Sequence, residues 1–403
     1  MIQNKRLASL DVLRGLALIL IILFHSSIYN YANINKLDFS NPPIVVVLMS
    51  FMALWGGIFI IYSLVVNTIM LMGRSQAAVN FKIFLYPIIA GFIYILFHYI
   101  LNIFLGRWSL DFVNNKPDLT AVAGSIRSMR LTLPHLTKLF EGSSLSAIAL
   151  NLIILSFVLF LLFRKNGMVK EKRNYLILGI SGVLIMFLSL IRVPLFHLFI
   201  QAIETEKYFL ATFFSFTLAN PYPLLPYLAY GFFGAMMGMM IFQKRNKLLK
   251  IIFIPSGMFF LIYGLSGMMN FDKTISTPDY FWYFKTNFEL GTFMLLLIFT
   301  VLFLEPKSDL LNKLSVLKWF SRISLTIYMF ETTASEIFRI ALHQVWPSWD
   351  QTINGCLVFG SLNVILWIVI LFFWEKINFK YSLEYFWVKF FKKIGKDSTK
   401  MGF

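Results

Sequence analysis

The chain has 403 residues, of which 58% are hydrophobic, 18% aromatic and only 14% charged, against about a quarter charged in soluble proteins. So little charge cannot cover a soluble globule, which excludes both a cytosolic enzyme and a disordered protein. Lys and Arg number 36 against 19 Asp and Glu, a net charge of +17; in so apolar a chain this excess indicates inner loops facing an anionic leaflet, not a nucleic-acid surface.

A helix crosses the hydrocarbon with about 20 apolar residues. Stretches of that length lie near 10–29, 44–72, 83–104, 145–163, 175–193, 224–242, 250–269, 286–304, 322–342 and 355–374. The expected fold is an all-α polytopic membrane protein of about ten transmembrane helices. With the N-terminus cytoplasmic, the inner loops take Arg74, Lys82, the Arg164–Arg173 cluster, Lys244, Arg245, Lys247 and Lys250. They also take Lys307, Lys313, Lys318 and Arg322, while the outer loops keep fewer cations, among them Arg107, Lys116, Arg127, Arg130, Lys138, Lys207 and Lys273. An even number of spans returns the lysine-rich end to the cytoplasm, so both termini are read as cytoplasmic. The whole of 1–403 reads as one integral-membrane domain, with a long extracytoplasmic loop at 105–144 and a basic cytoplasmic tail at 375–403. One cysteine, Cys356, excludes an internal disulfide and any cysteine-rich metal site.

The first apolar run contains Arg14 and lacks a small-residue cleavage pattern after it, so it is read as a retained helix. It carries Asp11, Arg14 and His25, which fall within about 60° of one another on a helical wheel. Each charge at the centre of a lone span costs roughly 2.5–3.5 kcal/mol and needs a reason. Asp11 and Arg14 are three residues apart, within pairing distance, and His25 lies about 16 Å above Arg14 at 1.5 Å per residue. The second span carries Trp55, Gly56 and Gly57, where a tilt or break is expected, and ends on Asn67 and Arg74. Arg74 is either a topology anchor or a contact for an incoming anion. His98 and Asn102, one turn apart, are explained by interhelical hydrogen bonds. The loop at 105–144, with Pro134 and His135, reads as a covering segment that lies on the membrane or folds over a cavity, without a catalytic part.

Glu289 reads as an exposed carboxylate just inside the eighth span, and His197 and His343 as loop or interface residues. In the ninth span Glu331 follows Arg322 by about 13 Å of rise, with Ser324 and Tyr328 on its face. A buried carboxylate there needs a base, and His25 stands at similar depth. Such a couple orients one imidazole nitrogen, as a general base requires; a purely structural buried pair is the competing reading. No two histidines have metal-motif spacing and no carboxylate cluster suggests a cation, so no metal is expected.

Arg6, Ser9, Leu10, Asp11, Arg14, Gly15, Ala17 and His25 form R-x-x-S-L-D-x-x-R-G-x-A followed by a spaced histidine. This resembles the first helix of the transmembrane acyltransferase superfamily, which includes the acyltransferase-3 and heparan-alpha-glucosaminide N-acetyltransferase-like proteins. The run NPYPLLPYLAYGFFGAMMG from Asn220 resembles a sixth-helix signature of the latter branch; its Gly231, Gly234, Ala235 and Gly238 would let helices approach closely. Ser324 to Glu331 resembles a late S-x-x-x-Y-x-x-H pattern, with glutamate in place of the histidine, and the second span has Ile60-Ile-Tyr-Ser63-Leu in place of an F-x-x-S-G ending.

The resemblance implies transfer of an acyl group, acetyl before others, from cytoplasmic acyl-CoA to a hydroxyl or amine of an extracytoplasmic sugar or glycolipid at the cell membrane. It implies His25 and Glu331 as the catalytic pair, through general-base chemistry or an acyl-histidine. Asp11, Arg14 and Arg74 would serve the acyl-CoA, the arginines by holding its phosphates. The implied partners are membrane lipid, acyl-CoA and a glycan or glycolipid acceptor, without nucleic acid; a homodimer is compatible with the sequence. Two other classes compete: a transporter or flippase of a sugar- or lipid-linked substrate, since intramembrane charges also mark pathways, and a non-catalytic scaffold.

Overall fold

The computed structural model describes residues 7–34, 37, 42–76, 79–106, 109–111, 116–219, 221–271 and 279–394. Arg6, Arg107, Asn220, Lys273 and the end of the basic tail from 395 lie outside the described residues. In chain order the helices are α1 (Ala8–Ile28), α2 (Ile44–Ala53), α3 (Ile58–Ser75), α4 (Phe81–Ile100), α5 (Ala121–Ser128) and α6 (Ser144–Phe163). Then come α7 (Glu171–Leu188), α8 (Arg192–Glu204), α9 (Tyr208–Thr217), α10 (Leu224–Phe242), α11 (Asn246–Met268) and α12 (Tyr280–Phe299). The chain closes with α13 (Ser308–Lys313), α14 (Ser315–Arg322), α15 (Ser324–Val345), α16 (Ile353–Glu375) and α17 (Leu383–Ile394). The protein is an all-α, multi-pass membrane protein. Nine helices among the described residues are long and apolar enough to cross a bilayer.

Three expected spans take a different form. The second breaks where Trp55, Gly56 and Gly57 fall: a 3-10 turn over Leu54–Gly57 separates α2 from α3. The fifth is longer than its hydropathy suggests and runs over Glu171–Glu204 through a 3-10 turn at Ser189–Ile191. The ninth, α15, has the length at 22 residues, but Glu331, Glu336 and Arg339 make it too polar to be counted among the apolar spans. Between α4 and α6 the long loop forms a short antiparallel pair, Ser109–Asp111 with Lys116–Asp118, and then α5. Polar side chains at helix starts take up the first free amides: Asn80 accepts from Lys82 N, Asp279 from Trp282 N, and Thr352 from Gly355 N.

The contacts fall into two compact units. The α10 unit comprises Met1–Leu7, Gly56–Asn102 and His135–Pro306. In it α10 packs on α3, α6, α7 and α11, and its glycines make that approach possible. A Cβ on Gly231 would overlap the Asn151 side chain, and one on Gly234 or Gly238 would meet the carbonyl oxygen of Ile61 or Val65 at 2.6 Å. The α1 unit comprises Ala8–Trp55, Ile103–Pro134 and Lys307–Phe403. Here α1 is the central element, packed on α2, α14, α15 and α16. A Cβ on Gly15 would lie 1.9 Å from the Leu317 carbonyl oxygen, so α14 crosses α1 with almost no separation. Cys356 is buried in α16 beside Trp349 and Phe359.

Candidate functional site

The α1 sequence has no proline between Ala8 and Ile28, and the helix is continuous. Arg14 and His25 are therefore separated by the full rise of about 16 Å. His25 Nδ1 lies 2.6 Å from Glu331 Oε1 of α15. An ionised carboxylate only accepts hydrogen bonds, so with Glu331 in that form the hydrogen would sit on Nδ1. Glu331 is 4% exposed. Thr332 Oγ1 also donates to Oε1, at 3.2 Å, while Oε2 is buried with no hydrogen-bond partner among the described residues. Buried carboxylate oxygens are rarely left so, because the missing bond costs of the order of 1–3 kcal/mol.

A second rung joins the same two helices. Arg127 Nη1, from α5, donates to Asn30 Oδ1 just beyond α1 at 2.9 Å and to Glu336 Oε1 of α15 at 2.7 Å. Arg339 Nε donates to the other oxygen of Glu336 at 2.7 Å, and its Nη2 donates to the Arg127 carbonyl at 3.1 Å. Residues 25 and 331 are 306 apart in sequence, as are 30 and 336, so α1 and α15 run in the same direction in fixed register. Ser335 Oγ, 3.3 Å from Ser26 Oγ, lies between the two rungs. Burial pulls the Arg127 guanidinium below its ordinary value, and the charge of Glu336 opposes that shift.

Between the rungs is a cavity of about 10 Å³, lined by His25, Glu331, Tyr29, Ser335, Arg127 and Glu336 among others. That is room for one water molecule or one hydroxyl group. An oriented imidazole beside such a space has the geometry to take a proton from a hydroxyl held there.

The remaining expected residues separate into those near this site's helices and those elsewhere. Asp11 is buried and accepts from Ser321 Oγ of α14 at 3.0 Å. Arg14, half-buried one turn on, acts electrostatically on Glu384 of α17. Glu384 in turn caps α15, accepting from Leu325 N at 2.6 Å, Thr326 N at 3.3 Å and Thr326 Oγ1 at 2.6 Å. Arg74 belongs to the other unit, in the last turn of α3, with its guanidinium 5.3 Å from the centre of the Tyr86 ring. Asn67 bonds back to the Ser63 carbonyl of its own helix at 2.8 Å. His98 pairs with Ser143 Oγ at 2.7 Å and Asn102 donates to the Glu141 carbonyl at 2.5 Å. His197 and His343 bond to the nearby carbonyls of Pro194 and Pro347.

One expectation is corrected. Glu289 is not exposed: it is 3% accessible, 3.4 Å from Lys285 Nζ and 3.4 Å from Tyr227 Oη, because α12 turns that face into its own unit. The long loop folds over a cavity, as one form of the expectation had it, and there α5 delivers Arg127. Sequence reasoning also passed over Glu336 and Arg339. Their signal was present: an acid and a base at i and i+3 in an otherwise apolar helix, beyond Glu331. No protein-family model matches the chain, and no curated protein matches it.

Proposed function

We propose that this chain is a cell-membrane acyltransferase that moves an acyl group, acetyl before others, from cytoplasmic acyl-CoA to a hydroxyl or amine of an extracytoplasmic sugar or glycolipid. The observation that supports it most is the 2.6 Å contact between His25 and the buried Glu331 at the edge of a hydroxyl-sized cavity. In this reading the acceptor O–H or N–H gives its proton to His25 Nε2 as its heavy atom attacks the thioester carbonyl carbon. The carbon–sulfur bond then breaks, and the imidazolium returns the proton to the departing CoA thiolate. Glu331 holds the Nδ1 hydrogen throughout and so keeps the correct tautomer. Arg14 would hold a CoA phosphate about 16 Å below, and the pantetheine arm would span that distance along α1. Arg74 would serve the same acyl-CoA by holding a phosphate.

The test is transfer from radiolabelled acetyl-CoA by the purified protein, wild type against His25→Ala. A general base is worth about 10²–10⁴ in rate, so a loss of that size is expected in a variant with an unchanged unfolding profile. Equal transfer by the two proteins rejects the reading. Movement of a sugar-linked lipid across proteoliposomes without covalent transfer assigns the chain to transport.

A further inference from the structure

One end of the α1 unit is organised differently from the rest. After α16 the chain turns over seven residues, 376–382, with Phe379 and Ser382 buried, and enters the amphipathic helix α17. One side of α17 is fixed: Phe391 is 4% exposed, and Glu384 makes the three hydrogen bonds that cap α15. The other side is open and aromatic. Tyr381 is 71% exposed, Phe386 51% and Phe390 45%. Lys376, Lys380 and Lys389 are exposed as well. Lys376 Nζ sits 4.9 and 5.0 Å from the ring centres of Phe372 and Phe373, both exposed on the last turns of α16. The end of α16 and the outer side of α17 thus both present exposed aromatic rings together with exposed lysines.

Water does not favour such rings, and a hydrocarbon core does not favour the lysines; the boundary between them favours both. Near an anionic leaflet each lysine is drawn to the surface by the negative potential. We propose that α17 is an interfacial helix that docks on anionic phospholipid headgroups. Through Glu384, that docking secures the first turn of α15, the helix that carries Glu331.

The full chain is placed in nanodiscs of phosphatidylcholine alone and of phosphatidylcholine with phosphatidylglycerol, and amide exchange is followed by mass spectrometry. Peptides covering 383–394 and 324–331 are expected to exchange at least about threefold more slowly in the anionic discs. Raising the salt to 1 M, where the screening length falls to about 3 Å, should remove the difference in the wild type, so no variant need fold for the test to be decisive. Replacing Lys376, Lys380 and Lys389 by Gln should remove it at low salt. Equal exchange in the two disc types overturns the proposal. So does equal slowing by inorganic phosphate in neutral discs, which would make the lysines a phosphate site instead. Protection of 383–394 without any change in 324–331 overturns the link through Glu384. None of these readouts depends on acyl transfer.

Discussion

Glu289 of the α10 unit and Glu331 of the α1 unit are both buried carboxylates, but they are satisfied differently. In the α10 unit, each oxygen of Glu289 has a partner, Lys285 on one and Tyr227 on the other. In the α1 unit, Glu336 is similarly complete between two arginines. Glu331 is not: one oxygen holds His25 and Thr332, and the other faces no donor among the described residues. A satisfied buried ion holds helices together; an incompletely satisfied one beside a cavity keeps capacity for chemistry. Within one chain, residue type alone does not separate the two roles.

The sharpest way to break this comparison is to neutralise both acids. Glu331→Gln is expected to lower acyl transfer by about tenfold to a hundredfold, at 1.4 kcal/mol per factor of ten, while Glu289→Gln leaves it within about twofold. Equal losses would erase the distinction. Stability should respond in the opposite order. Glu289→Ala strips Lys285 and Tyr227 of their acceptor and is expected to cost about 3 kcal/mol, the scale of a broken buried pair. Glu331→Ala removes a carboxylate that already lacks one bond and should cost about 1 kcal/mol; thermal unfolding in detergent measures both.

The smallest effect concerns Glu384. Burial holds its carboxyl above the ordinary 4.5, against the hydrogen bonds from Thr326 and Leu325 and the charge of Arg14. The folded protein therefore binds this proton more tightly than the unfolded chain. Its contribution to stability is full below about pH 4.5 and is lost as pH rises through the raised value. In Glu384→Gln that part of the pH dependence should vanish, with a change in stability below about 1 kcal/mol because the amide oxygen still caps α15. An unchanged slope would show that another group sets it.

Much of the helical framework was legible because a span is a local property: twenty apolar residues announce themselves wherever they pack. The break at Gly56 and Gly57 was legible for the same reason. The pairing of His25 with Glu331 followed from depth along two helices, a one-dimensional measure that survives ignorance of the packing. Arg127 was not legible, because it reaches the cavity only through the docking of α5 on α15, and nothing local to 121–128 encodes that partner. Glu289 was misjudged for a related reason. Whether it faced lipid or protein depended on Tyr227, 62 residues away.

Cys356, the one thiol of the chain, is walled in by Trp349 and Phe359. A maleimide or spin label therefore meets a silent background on the folded protein. Every cysteine introduced along α1, α5 or α17 becomes a lone reporter, and distances between two such probes are available without first stripping the chain of native sulfur.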